Sequence, residues 1–336
     1  MFSELLVDVL GAEGALRVLD RVGVPGAVLE DEVPRDQVPR AAVAAALGLA
    51  LVAGLLERVP TGAAYVEAQR GDGRRVAFDH GALRTVDWTH TGDLPSGVEA
   101  FRRILVPLGY EEVGEYPLDR IHMTGRVFCH ADLPEDLPQY FVSELHVARL
   151  PEEAQAATTR VFGASTDSLA DGTTALLDLL AEQGWLAPAE AATLVRALVL
   201  CFARQHADPA LADYETLLTH SAELAWIATE GNAFNHATDR VADVEALAER
   251  LAAAGQPVKD AVERSRNGRV RQTAFRADAV LRLFVDEDGT TATRLVPGSF
   301  FEFISRDHTP EGPLDLTFDS GNAQGIFTMT RALPSL

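Results

Sequence analysis

The feature that most restricts how this chain can fold is a change of hydrophobic period along it. Apolar residues recur at helical spacing in 1–58 (Leu5, Leu6, Val9 and Leu10, then the run 41–56) and again in 151–223 (Leu176, Leu179 and Leu180, then Leu194, Leu198 and Cys201). In 59–150 and 224–336 short apolar runs bounded by Gly, Asp and Asn read instead as strands. The first of these segments is expected to be strand-like from 63 to about 86, with charged turns at Arg70-Gly71-Asp72-Gly73. A helix at 97–108 stopped by Gly109 follows, then strands at 111–116, 125–130 and 139–147. The second is expected to open with an apolar strand at 224–229, pass through a polar stretch containing His236, form a helix at 241–254, and continue as strands near 270–275, 280–285 and 293–305. This order predicts an α+β fold: N-terminal helices (1–58) packed on a core, a first β module (59–150), a helical insertion (151–223), and a second β module (224–336) that completes a site begun by the first.

Composition narrows the partners. With 47% hydrophobic residues there is ample core, and two cysteines, Cys129 and Cys201, are too few for a zinc ribbon or a disulfide framework. That usage, and an N-terminus with an early acid (Glu4) and no basic region, lead us to expect a cytoplasmic protein without a secretory signal. The run 41–56 is bounded by Pro39-Arg40 and Glu57-Arg58 and reads as a core helix, so no membrane is expected. A net charge of −21 repels phosphates and argues against nucleic acid. The one arginine cluster, 264–271, contains Asn267-Gly268 and reads as a solvated hairpin turn. No nucleophile elbow, phosphate loop, dinucleotide glycine motif or His-Glu-x-x-His helix occurs.

The residues that could carry chemistry are few. Glu302 lies in Val296-Pro297-Gly298-Ser299-Phe300-Phe301-Glu302-Phe303-Ile304, where strand period puts it on the face of Phe300 and Ile304 with Phe301 and Phe303 opposite. A carboxylate so buried needs a cation; a salt bridge to an arginine, or a sheet-edge position reaching water, competes with a metal. His80 and Arg84 are four apart and share a face, so an imidazole that binds metal and a guanidinium that forks onto a carboxylate can enter one cavity. His236 sits among polar neighbours, Asn235 and Asp239, that either orient its ring or form a turn. Two histidines and a carboxylate are the donor set of non-haem iron(II) oxygenases, and equally can hold catalytic zinc. The other histidines, His90, His122, His130, His146, His206, His220 and His308, are reserve ligands at best, and Glu144, in the apolar strand around Ser143, reads as a structural partner for an arginine.

Several stretches resemble a known family. Phe78 to Thr85, Leu137 to Leu145, Ala233 to His236, Val296 to Phe303 and Phe318 to Phe327 are together similar to the 2-oxoadipate dioxygenase/decarboxylase family, long catalogued as a domain of unknown function. The resemblance covers about residues 60 to 331. It implies a vicinal-oxygen-chelate-like open β-barrel core related to the hydroxymandelate synthase group. It also implies iron(II) and dioxygen chemistry that converts 2-oxoadipate to 2-hydroxyglutarate and carbon dioxide, a late step of lysine breakdown. On this resemblance His80, His236 and Glu302 are the iron ligands and Arg84 holds a substrate carboxylate. Gly321 and Asn322 fall in the segment that contacts the distal carboxylate in larger bacterial members, although their sequence departs from those members. The partners expected are therefore a small 2-oxo acid and O2. A divalent-metal lyase or isomerase, and a non-catalytic small-molecule binding protein, are the alternatives on the same fold.

Overall fold

The computed structural model describes residues 1–29, 34–319 and 329 of the 336. The chain enters through α1 (Phe2–Arg21), the short α2 (Gly26–Leu29), a two-residue strand β1 (Val38–Pro39) and α3 (Arg40–Arg58). By length and composition α3 could cross a membrane, but Ala42 to Val52 are buried without a break, as in a core helix. The expectation of strand from residue 63 is corrected at once, because α4 (Pro60–Gly71) is a helix. Pro60 occupies its first turn, where a missing N–H costs nothing, and Gly62, Tyr65 and Val66 form its buried face at helical spacing. The glycines read as a turn between strands instead end this helix, with Gly73 at φ +73°.

Next come β2 (Phe78–Asp87), α5 (Glu99–Leu105), β3 (Tyr110–Leu118), β4 (Met123–His130) and β5 (Gln139–His146), close to their expected places from residue 78 onward. The helical stretch contains α6 (Glu152–Phe162), α7 (Asp171–Gln183), a two-residue β6 (Trp185–Leu186) that pairs with β1, α8 (Pro188–Cys201) and α9 (Leu211–His220). It continues into α10 (Ala222–Glu230), which corrects the strand expected at 224–229. Ser221 caps α10 by accepting from the Leu224 amide at 3.1 Å, and Glu223 to Glu230 are all buried, so no polar face betrays the helical period.

After α10 come β7 (His236–Arg240), α11 (Val244–Ala253), β8 (Glu263–Arg264), β9 (Val270–Ala274), β10 (Ala279–Val285), β11 (Thr291–Pro297) and β12 (Phe300–Arg306). What reads in sequence as one strand at 293–305 is two, divided at Gly298-Ser299. β11 pairs with β10 in a separate ribbon, while β12 enters the main sheet. The arginine cluster is the turn of the β8–β9 hairpin, with Gly268 at φ +76°.

Eight strands form one curled sheet in the order β3-β4-β5-β2-β7-β12-β9-β8. Its middle is the antiparallel pairing of β2 with β7, which joins strands from before and after the helical stretch, and parallel partners flank them, β5 beside β2 and β12 beside β7. One face is covered by the N-terminal helices: the Tyr65 ring of α4 meets Phe301 and Phe303 of β12, the latter at 4.7 Å between centroids. The other face carries Ala82, Phe141 and Leu145 in a second core with Leu217 and Trp226 of α9 and α10. Gly81 is required between the two, because a Cβ there would lie 2.4 Å from the Phe234 ring.

Candidate metal centre

Strand alternation sends His80, Ala82 and Arg84 to the second face of β2. Across β2–β7 the register opposes His80 to Thr238 and Ala82 to His236, and across β7–β12 it opposes Phe300 to His236 and Glu302 to Thr238. Three distant segments therefore converge. Glu302 Oε2 lies 2.8 Å from His236 Nε2 and 3.3 Å from His80 Nε2, and the Thr238 hydroxyl donates to the same oxygen at 2.9 Å. All three side chains are buried, Glu302 at 1% exposure. The two other readings of Glu302 fail: β12 is interior to the sheet, and the partners of the carboxylate are imidazoles.

Both rings are held from behind. The register shifts between Phe78 and His80, and Asp79 on this bulge accepts from His80 Nδ1 at 2.9 Å. Asp79 in turn meets the guanidinium of Arg306, itself fully buried, through three contacts of 2.9 to 3.1 Å. The amide oxygen of Asn235 accepts from His236 Nδ1 at 3.2 Å. In the tautomer that these two acceptors favour, with the proton on each Nδ1, the Nε2 lone pairs point to the common centre, the arrangement usual for metal-binding histidines.

Burial pushes the Glu302 carboxyl up, but the His236 and His80 imidazoles outweigh it and hold the group well below the usual carboxylate range. Burial lowers His236, while at His80 the neighbouring Asp79 and Glu302 carboxylates overcome burial and raise it. A positive charge among these three is thus favoured electrostatically. The second oxygen of Glu302, Oε1, is buried and has no hydrogen-bond partner among the described residues. Two neutral imidazoles, one carboxylate and a spare buried acceptor fit a divalent cation.

The three side chains line one cavity together with Arg84, Phe141, Ser143, Asn235, Gln272 and Phe318. Arg84 packs its guanidinium over the Trp226 indole at 5.0 Å. Gly321 and Asn322 lie outside the described residues. Of the other polar groups weighed from sequence, Asp239 faces away and accepts from the Tyr65 hydroxyl, so it orients neither ring. Glu144 accepts from the Val98 amide at 2.7 Å. His130 bonds the Leu108 carbonyl, and His146, near Asp87 and Glu144, has both ring nitrogens engaged by Asp87 and Thr124. Asp79, Thr238, Gln272, Phe318 and Arg306 were not singled out from sequence. For Asp79 and Thr238 the signal was there, as positions one and two residues from a candidate ligand.

A curled sheet that gathers two imidazoles and a carboxylate defines an α+β protein of the glyoxalase-like, vicinal-oxygen-chelate architecture with a candidate metal site. The profile of the 2-oxoadipate dioxygenase/decarboxylase family matches residues 36–313, and the chain belongs to that family. It is 29% identical over 251 residues to the 2-oxoadipate dioxygenase/decarboxylase of Mycobacterium tuberculosis strain H37Rv, an alignment covering 71% of this chain and 60% of that relative. The chain thus spans about 60% of the length of the curated relatives it matches. Among solved structures, a putative glyoxalase superfamily protein from Ralstonia eutropha JMP134 superposes with a TM-score of 0.90 at 52% identity, covering 95% of this chain and 98% of that one. The hydroxyglutarate synthase of Oryza sativa, solved in complex with 2-oxoadipate, has the same fold (TM-score 0.67, 20% identity, 90% and 97% covered).

Proposed function

We propose that the chain is an iron(II)-dependent dioxygenase and decarboxylase of a 2-oxo dicarboxylic acid, with 2-oxoadipate the preferred substrate. The reaction consumes O2 and yields 2-hydroxyglutarate and carbon dioxide. The observation that carries this reading is the convergence of His80, His236 and Glu302 beside Arg84 in one cavity of a chain from this family. Iron(II), held by those three side chains, would supply Lewis acidity and the electrons that O2 needs to react with a closed-shell acid.

The remaining work falls to the protein. Asp79 and Asn235 keep the protons on Nδ1 of the two rings, so that both Nε2 atoms serve as ligands. Arg84 forks onto a substrate carboxylate and sets the pose of the 2-oxo acid. On the resemblance, Gly321 and Asn322 meet the distal carboxylate. Phe141, Phe300 and Phe318 make the surroundings apolar, which excludes bulk water and strengthens each charged contact. Cys129 and Cys201 are both buried free thiols, which suits the reducing cytoplasm proposed for this chain.

The test is anaerobic reconstitution with iron(II), then addition of 2-oxoadipate and O2 while O2 uptake and carbon dioxide release are followed together. Equimolar uptake and release support the reading. Turnover without O2 uptake points to a metal lyase or isomerase, and ligand binding without turnover to a binding protein.

A further inference from the structure

Asn235 holds a hydrogen-bond donor that nothing in the described structure uses. Its backbone is pinned on both sides, the amide donating to the Ala82 carbonyl at 2.8 Å and the carbonyl accepting from the Phe300 amide at 3.0 Å. Its side-chain oxygen accepts from His236 Nδ1 at 3.2 Å. A ring that ligates through Nε2 must carry its proton on Nδ1, so this contact fixes which end of the Asn235 amide is oxygen. Nδ2 is therefore set in direction as well. The residue is 2% exposed and lines the cavity, and Nδ2 has no hydrogen-bond partner. Buried donors are rarely left unmet, and one that lines a ligand cavity is most simply explained by an acceptor on the ligand.

We propose that Asn235 Nδ2 binds an oxygen of the substrate's 2-oxo-carboxylate end, the end bound at the metal centre. This rests on the function proposed above and adds a substrate-binding role to a residue whose other atom orients His236. The amide is bonded to a ligand ring, so the acceptor it meets belongs to whatever part of the substrate sits beside that ring. Arg84, one same-face position beyond Ala82 on β2, keeps the carboxylate-binding role proposed for it above. The two roles of Asn235 use different atoms and can be separated. Asn235→Asp keeps an acceptor for His236 Nδ1 but replaces the donor with a second carboxylate oxygen. Asn235→Ala removes both.

The experiment is anaerobic calorimetric titration of 2-oxoadipate into iron(II)-loaded wild type, N235D and N235A, with metal content measured on the same samples. N235D is expected to retain one metal per chain and to bind 2-oxoadipate at least about tenfold more weakly, the effect of losing a hydrogen bond to a charged acceptor. N235A is expected to lose affinity for both metal and acid. An N235D protein that binds 2-oxoadipate as tightly as wild type overturns the inference and leaves the functional reading standing. A metal-loaded wild type with no affinity for 2-oxoadipate overturns both. Should N235D fail to fold by circular dichroism, N235A at saturating iron(II) decides in its place: unchanged affinity for the acid overturns the inference.

Discussion

Removing the Asp79 carboxylate should damage stability and metal affinity by separate routes. Asp79 is the anionic partner of Arg306, whose side chain is fully buried, and it also accepts from His80 Nδ1. Asp79→Ala leaves a buried guanidinium with neutral acceptors only: the Asp315 and Thr317 carbonyls and Gln139 Oε1. Breaking a buried pair by deleting one member costs about 3–5 kcal/mol, which for a chain of this length lowers Tm by roughly 4–7 °C. The same change frees the His80 ring, and loss of such a supporting contact weakens metal binding by about 10–100-fold. Thermal melts of the metal-free protein and iron(II) competition against a chelator read the two effects independently. The double variant Asp79→Ala with Arg306→Met removes both charges, so it should recover most of the stability while metal affinity stays low. A double variant no more stable than D79A would refute the electrostatic argument. Wild-type metal affinity in D79A would refute the role given to Asp79 behind His80.

Arg84→Ala should retain metal and lose about 10–100-fold in kcat/KM for 2-oxoadipate, the loss of a hydrogen-bonded charge pair, and steady-state kinetics at saturating iron(II) checks it. Burial holds the His206 imidazole down to about 4, where its Nε2 donates to the Ala228 carbonyl. Its folded value lies below the unfolded one near 6.5, so the neutral ring's contribution is complete above that pH and is lost as pH falls toward 4, at a cost of roughly 3 kcal/mol. Urea titrations of wild type and His206→Gln at pH 7 and pH 4.5 should show a smaller acid loss in the variant; equal losses would exclude His206 as the source. Gly81→Ala forces a methyl to within 2.4 Å of the Phe234 ring and should destabilise by about 1–3 kcal/mol, measured by the same titration.

Much of this architecture was legible because period and punctuation agree: β3 to β5 and α11 alternate or repeat as their sequences imply. The failures have physical causes. α10 is buried all round, so its apolar run carries no periodic mark, and only the Ser221 cap distinguishes it from a strand. α4 was obscured by Arg70-Gly71-Asp72-Gly73, since the same residues stop a helix or turn a hairpin. β11 and β12 read as one because both are apolar around Gly298, where the chain leaves the ribbon for the main sheet. At the site, the four-residue spacing of His80 and Arg84 and the need of a buried Glu302 for a cation were visible locally. The Asp79–Arg306 pair spans 227 residues and depends on a bulge, and no local pattern announces it.

Whether His80, His236 and Glu302, from distant strands, hold one metal is read by elemental analysis after anaerobic iron(II) reconstitution and desalting, on wild type and on H80A, H236A and E302A. One iron per wild-type chain is expected, with none retained by any of the three variants. A full complement of iron in E302A would contradict that ligand set.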